Sequence, residues 1–341
     1  MRQVFRSVKY IAMKYLLLLT SFFIGVGVAA QDCDQKLLSQ KPGTWKAGIK
    51  GSTYLVSAAD LVKEKAVLAS IHKMISAQYE PIGCQALYTN NFSGTNPVAG
   101  KNWVADFFGY TIYPLRFLCD PGSDDKSKWY VNIATSTVLN IDANIIGFLN
   151  TIYTADLPDD HSRGYLKMSK RPVLQNGYYT WGEEIAGDGR LKNPDITYKW
   201  LITYDEKLPF KDVSRKEYLL LIKKKLEQTL IDDKNNKEYY SKYMNRIKEN
   251  LSQPEDFLNE AAVCMWNDEE RFEGFVEEGT KGSFIAIKPN LDYYNKKLGK
   301  SVPQFFLVTY RVATSIDTEV ENMNRIREAV DFAELRKMLG K

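Results

Sequence analysis

The chain has 341 residues, with 46 basic against 42 acidic side chains and a net charge of +4. Four of the basic residues (Arg2, Arg6, Lys9 and Lys14) precede an apolar run over residues 15–30, so the two signs balance beyond residue 30. A nucleic-acid binder needs an excess of Lys and Arg to displace counterions from phosphates, and that class is excluded.

The basic opening, the apolar run and the small residues Val28, Ala29 and Ala30 have the pattern of a signal peptide over residues 1–30, cleaved before Gln31. No stop-transfer flank follows, so no membrane span is expected after cleavage. Gln31 and Asp32 before Cys33 are not small enough for a lipobox. The expected location is therefore secreted or periplasmic, as for an exported bacterial protein. In an oxidising compartment an even number of cysteines favours pairing. Cys84 with Cys119 is the preferred pair, because the two bracket one β-rich segment, and Cys33 with Cys264 then follows by elimination. No C-x-x-C spacing suggests metal instead.

Ser57 is placed to cap a helix reaching about residue 78, with Leu61, Leu68, Ile71 and Ile75 on its apolar face and Pro81 and Gly83 beyond its end. His72 falls within this helix and reads as structural. Strands are expected at residues 84–88, 103–118 and 129–139, where aromatic and β-branched residues concentrate. Asp120, Gly122, Asp124 and Asp125 make the connecting turn, without the closing Glu of a calcium loop. Residues 141–154 fit either a short helix or a strand.

Asp156, Asp159, Asp160 and His161 occupy one stretch that reads as an exposed loop, although the same donors suit a divalent cation. Further strands are expected at 165–181 and 196–204. Tyr178, Tyr179 and Trp181 lead into Glu183 and Glu184, with Asp188 close by. Aromatic rings stack on the apolar face of a sugar and carboxylates bond its hydroxyls, so these six are the candidate ligand-binding residues. The catalytic alternative is a secreted hydrolase using Glu183, Glu184 or Asp188, which requires two carboxylates roughly 5–10 Å apart about the scissile bond.

Residues 209–251 carry the clearest local signal. Ser214 and Glu217 have capping-box spacing, and Val213 with Tyr218 fits a hydrophobic staple. Leu219, Ile222, Leu226 and Leu230 form one stripe, and Tyr240, Met244, Ile247 and Leu251 form a second. The polar residues 232–237 between them leave two helices or one weakened helix. A short helix after Pro254, strands at 284–287 and 305–313, and a helix capped by Thr314 or Ser315 complete the chain. Asp331 with Glu334 restarts that last helix, and Gly340 ends it.

Strands that cluster rather than alternate with helices predict an α+β fold, with antiparallel β-rich segments packed on a long central helical block and a C-terminal helix. If there are two units, they divide into 31–205 and 206–341; if the helical block lies across one sheet system, they form a single continuous domain. G-x-S-x-G, the Walker loop, G-x-G-x-x-G and H-E-x-x-H are all missing, and there are only two histidines. No cofactor or metal is expected. The composition therefore favours a non-catalytic binding protein for a glycan, a peptide or an envelope protein. A structural or assembly protein is the further alternative.

Overall fold

The computed structural model describes residues 32–49, 53, 56–92, 103–125, 127–146, 154–156, 163–185, 193–233, 236–266 and 271–341. The proposed leader at 1–30, and Asp159, Asp160, His161 and Asp188, lie outside the described residues.

The fold is α+β, built as four layers. A nine-stranded sheet runs in the order β1 (Thr44–Ala47), β2 (Cys84–Phe92), β3 (Phe108–Cys119), β5 (Val138–Ala143), β14 (Phe306–Ala313), β10 (Asp195–Ile202), β9 (Tyr178–Ile185) and β8 (Val173–Gln175). Its ninth strand, β4 (Trp129–Val131), pairs with the far end of β3. Among the described residues, only the β1–β2 pair is parallel. Pro114 lies in β3 beyond Ile112, the last residue that β5 pairs, so its missing N–H removes no bond from that ladder.

The second sheet has five strands: β11 (Phe210–Asp212), β13 (Ser283–Pro289), β7 (Arg163–Met168) and β6 (Thr154–Asp156), with β12 (Val263–Met265) also on β13. Both sheets take strands from either side of residue 205, and β14 inserts between β5 and β10. Residues 31–205 and 206–341 are thus interwoven.

Alternation along the strands sorts the core into three layers. Phe306, Val308, Tyr310, Ile112 and Ile141 face the helices α2 (Ala58–Ser76), α6 (Asp317–Ala329) and α7 (Phe332–Met338). Trp181, Leu201, Leu307, Ile285, Ile287 and Leu166 fill the space between the sheets. Tyr165, Phe284 and Ala286 meet α3 (Arg215–Asp232) and α4 (Lys237–Leu251) through Leu219, Ile222, Leu226, Met244 and Ile247. The two predicted stripes are therefore two helices, and both bury themselves on the smaller sheet. The short α5 (Glu255–Asn259) follows Pro254 as expected and adds Leu258 to the same core.

The caps at Ser57, Ser214 and Asp331 hold, each accepting from a backbone N–H of the first turn. Glu217 does not close the capping box; it accepts from Lys288 Nζ on β13 at 2.6 Å, a stronger charged partner than the backbone. Neither Thr314 nor Ser315 caps α6. The Thr314 hydroxyl donates to Pro194 O at 2.8 Å, and Ile316 takes the cap position without a side-chain bond. Residues 129–139 form two strands rather than one, β4 and the start of β5, and residues 141–143 complete β5.

Cys119 is bonded to Cys33, not to Cys84. Cys84 stands opposite Arg116 in the β2–β3 ladder, three residues from Cys119, and the odd offset turns the two side chains to opposite faces. Cys84 is buried beside the Tyr79 hydroxyl, 3.7 Å away. Cys264 is buried in the layer under α3 and α4, in the other sheet, far in the topology from Cys33. The short helix α1 (Gln35–Ser39), capped by Asp34, brings Cys33 to β3. Its Gln35 side chain bonds both Phe117 O and Cys119 N, at 2.9 and 3.1 Å.

Candidate functional site

The helix-facing side of β9, β10 and β14 carries a groove of about 710 Å³ under the junction of α6 and α7. Tyr198 and Trp200 are two apart on β10 and share this face, beside Tyr310 of β14. On β9 the alternation is broken. Lys199 pairs with Gly182 but Trp200 pairs with Thr180, so Trp181 is an extra residue, and Gly182 adopts φ 74°. The Thr180 hydroxyl fastens this bulge by donating to Lys199 O and accepting from Gly182 N, at 2.9 and 3.0 Å. Because of the bulge, Tyr178 and Glu183 lie on the same face despite being five residues apart.

Asp331 ends the turn after α6 by capping α7, and this lowers Phe332 onto the strand aromatics. Its ring centroid is 5.2 Å from that of Tyr178 and 5.7 Å from that of Trp200. Arg327 in the last turn of α6 lies over Tyr198 and Tyr310, at 5.1 and 5.8 Å from the ring centroids. Tyr198 donates its hydroxyl hydrogen to Glu183 Oε2 at 2.7 Å. That bond, reinforced by burial, holds the Tyr198 hydroxyl above its ordinary pKa. The Trp200 indole N–H meets no partner among the described residues. Aromatic faces, an indole donor and a guanidinium therefore converge on one concave surface, and the Tyr198–Glu183 pair lies on the same strand face beside it.

The remaining predicted residues are elsewhere. Trp181 is fully buried between the sheets, and its indole N–H donates to Lys170 O at 2.8 Å. Tyr179 packs against the same inter-sheet layer and donates to Glu206 O. Glu184 follows Glu183 directly and so points to the opposite face, where Lys199 Nζ is 3.9 Å away. Asp188 is outside the described residues. His72 stacks on Tyr88 at 4.1 Å and bonds Tyr110 through Nδ1 at 2.7 Å, a packed aromatic environment whose burial lowers its pKa.

Trp200, Tyr310, Arg327 and Phe332 were not among the residues expected from sequence. The signal for Trp200 was present: it lies two residues from Tyr198, and that spacing marks a shared strand face. Tyr310, Arg327 and Phe332 come from distant segments that only the β14 insertion brings here. Among the described residues no three His, Cys, Asp or Glu side chains could hold one metal ion, and no helix is long and apolar enough to cross a membrane.

No protein-family model, curated protein or solved structure matches this chain. The functional reading rests on its own geometry.

Proposed function

We propose that the protein is an exported, non-catalytic binding protein that holds a saccharide in the groove over Tyr178, Trp200 and Phe332. The observation that carries this reading is the convergence of those rings with Arg327, with Glu183 on the same strand face beside them. The rings offer flat apolar area for the C–H face of a pyranose, and the polar groups offer donors and acceptors for its hydroxyls. Export is supported by the Cys33–Cys119 disulfide and by the pattern of residues 1–30.

Of the two carboxylates that line the groove, Glu328 and Asp331, Asp331 is held by backbone N–H groups, so the lining offers no free pair of acids, which supports binding over hydrolysis. Glu183 accepts from Tyr198, and Asp331 accepts from the Ala333 and Glu334 N–H groups at 2.8 and 3.0 Å. Neither is poised as a free acid or base about a glycosidic bond.

The test is calorimetric titration with β-linked hexose, N-acetylhexosamine and uronic-acid oligosaccharides, followed by product analysis of any binder. Binding without cleavage is expected. Trp200→Ala should remove about 2 kcal/mol, roughly thirtyfold in Kd, as for a buried aromatic anchor. Cleavage of a bound oligosaccharide would establish the hydrolase reading instead. No binding across the panel would sink the saccharide reading.

A further inference from the structure

A second polar cluster lies away from the groove, where the first half of α2 meets residues 103–107 and 299–304. Asn144, at the end of β5 with φ 59°, pins those two segments together. Its amide donates to Asp106 O and Val302 O at 2.9 and 3.1 Å, and its carbonyl accepts from Gln304 N at 2.8 Å. Asp106 N also donates to Lys300 O at 2.9 Å. On the α2 side, Asp60 accepts from the Ser301 hydroxyl at 2.8 Å.

Glu64, one turn after Asp60, is fully buried at this junction, and neither of its carboxyl oxygens has a hydrogen-bond partner among the described residues. Asp106 is buried too; its Oδ1 lacks a hydrogen bond among the described residues, and Lys300 Nζ is 3.9 Å from it. The charged groups around Glu64 are Asp60 and Lys63 from α2, Asp106 from the strand approach and Lys300 from the loop. Lys63 is within 3.9 Å of Asp60, and Lys300 is nearest Asp106. An ionised Glu64 would thus be buried among carboxylates without a donor, the arrangement that low-polarity surroundings penalise most.

We propose that Glu64 and Asp106 form a proton-controlled latch: protonated Glu64 seats α2 on residues 103–107 and 299–304, and its ionisation unseats them. The same junction borders a groove of about 670 Å³ in which Val67, Val302 and Met338 stand beside the charged Lys63, Glu334 and Lys337. The latch is independent of the saccharide reading.

Burial, followed by the Asp106 and then the Asp60 charge, pushes the Glu64 carboxyl up to about 8. Burial likewise raises Asp106 to about 6, against the pull of Lys300. Both groups hold their protons more tightly when seated than when opened to water. The seated state is therefore favoured at low pH and loses favour as pH rises, for Glu64 between about 4.5 and about 8. Above about pH 6 Asp106 is ionised in either state, and one proton remains to be lost.

Hydrogen exchange of the wild-type protein and Glu64→Gln, corrected for intrinsic rates, tests the latch. In the wild type, protection in the first turns of α2 and in residues 299–304 should fall roughly tenfold per pH unit between about pH 6 and pH 8. Glu64→Gln mimics the protonated side chain and should hold that protection constant. A flat wild-type profile, or a Gln variant that follows the wild type, overturns the proposal. Should the variant fail to fold, infrared spectroscopy with Glu64 in place decides. Asp142, raised by burial to about 7, would give a band of its own, so the spectra are taken in an Asp142→Asn background. A protonated-carboxyl C=O band present there near pH 7 and absent near pH 9 supports the latch, and no such band near pH 7 refutes it.

Discussion

Tyr178 and Glu183 share one face of β9 although they are five positions apart. The extra residue Trp181 resets the alternation, sending its own ring into the inter-sheet core while Glu183 returns to the groove-bearing face beside Tyr198. One local irregularity therefore anchors the core and aims a polar side chain at the candidate site.

Gly182 carries that irregularity. A Cβ there would meet no atom within 4 Å, yet φ 74° is costly for a side chain branched at Cβ. Gly182→Val should lower unfolding stability by about 1–2 kcal/mol. It should also weaken saccharide binding more than a stability-matched core variant does, because relaxing the bulge turns Glu183 away. Denaturant unfolding and calorimetry on the same preparations check both effects.

The disulfide closes a separation of 86 residues and ties α1 to the end of β3. Chain-entropy arithmetic for a loop of that length gives roughly 4–5 kcal/mol, and native domains lose about 2–5 kcal/mol when such a bond is removed. Cys33→Ser should lower the unfolding free energy by that amount under oxidising conditions, read by chemical denaturation. It should leave ligand affinity unchanged, since the groove lies on other strands. Buried Cys84 and Cys264 should resist thiol reagents until the protein unfolds.

Glu319 of α6 is completely buried, with Arg116 Nε 2.9 Å from its Oε1. Its other oxygen accepts from the Thr135 hydroxyl at 2.8 Å and from Thr137. Thr137 in turn accepts from Ala313 N at 3.0 Å, at the end of β14. This carboxylate joins α6 to three strand segments, so Glu319→Ala strands a guanidinium and two hydroxyls. A loss of about 3–5 kcal/mol is expected by chemical denaturation. Substituting exposed Glu321, whose i,i+4 partner is Arg325, should cost less than about 0.5 kcal/mol.

Asp106 gives a pH signature separable from that of Glu64. Its folded-state value near 6 lies above the ordinary 3.8, so stability from its protonated form is complete below about 3.8 and is lost as pH rises through 6. Asp106→Asn should therefore gain on the wild type between about pH 4 and pH 6, by about 1 kcal/mol after solvent screening, and gain further as pH approaches about 8, because the Asp106 charge is among those that raise Glu64. Thermal unfolding across that range would contradict the assignment if the two profiles ran parallel throughout.

Local order was legible in the sequence wherever it depended on neighbours along the chain. Ser57, Ser214 and Asp331 declared their helices because capping needs only the next three residues. The stripes of α3 and α4 declared their buried faces. Long-range order was not legible in the same way. Nothing near residues 306–313 shows that they insert between β5 and β10, and that insertion brings Tyr310, Arg327 and Phe332 to Tyr178 and Trp200. The cysteine pairing was misread for the same reason. Proximity along the chain suggested Cys84, whereas strand register and the α1 clamp select Cys33.

The most direct measurement is the two-dimensional spectrum of the indole N–H groups, read during titration with the oligosaccharides. The chain has six tryptophans, and their environments differ. Trp200 faces the groove, whereas the indole N–H groups of Trp181 and Trp266 are bonded to Lys170 O and Ser283 O. Saccharide binding over Tyr178, Trp200 and Phe332 predicts a saturable shift of the Trp200 resonance while those of Trp181 and Trp266 stay in place. A saccharide that binds while the Trp200 resonance does not move would contradict the assignment of the groove as the site.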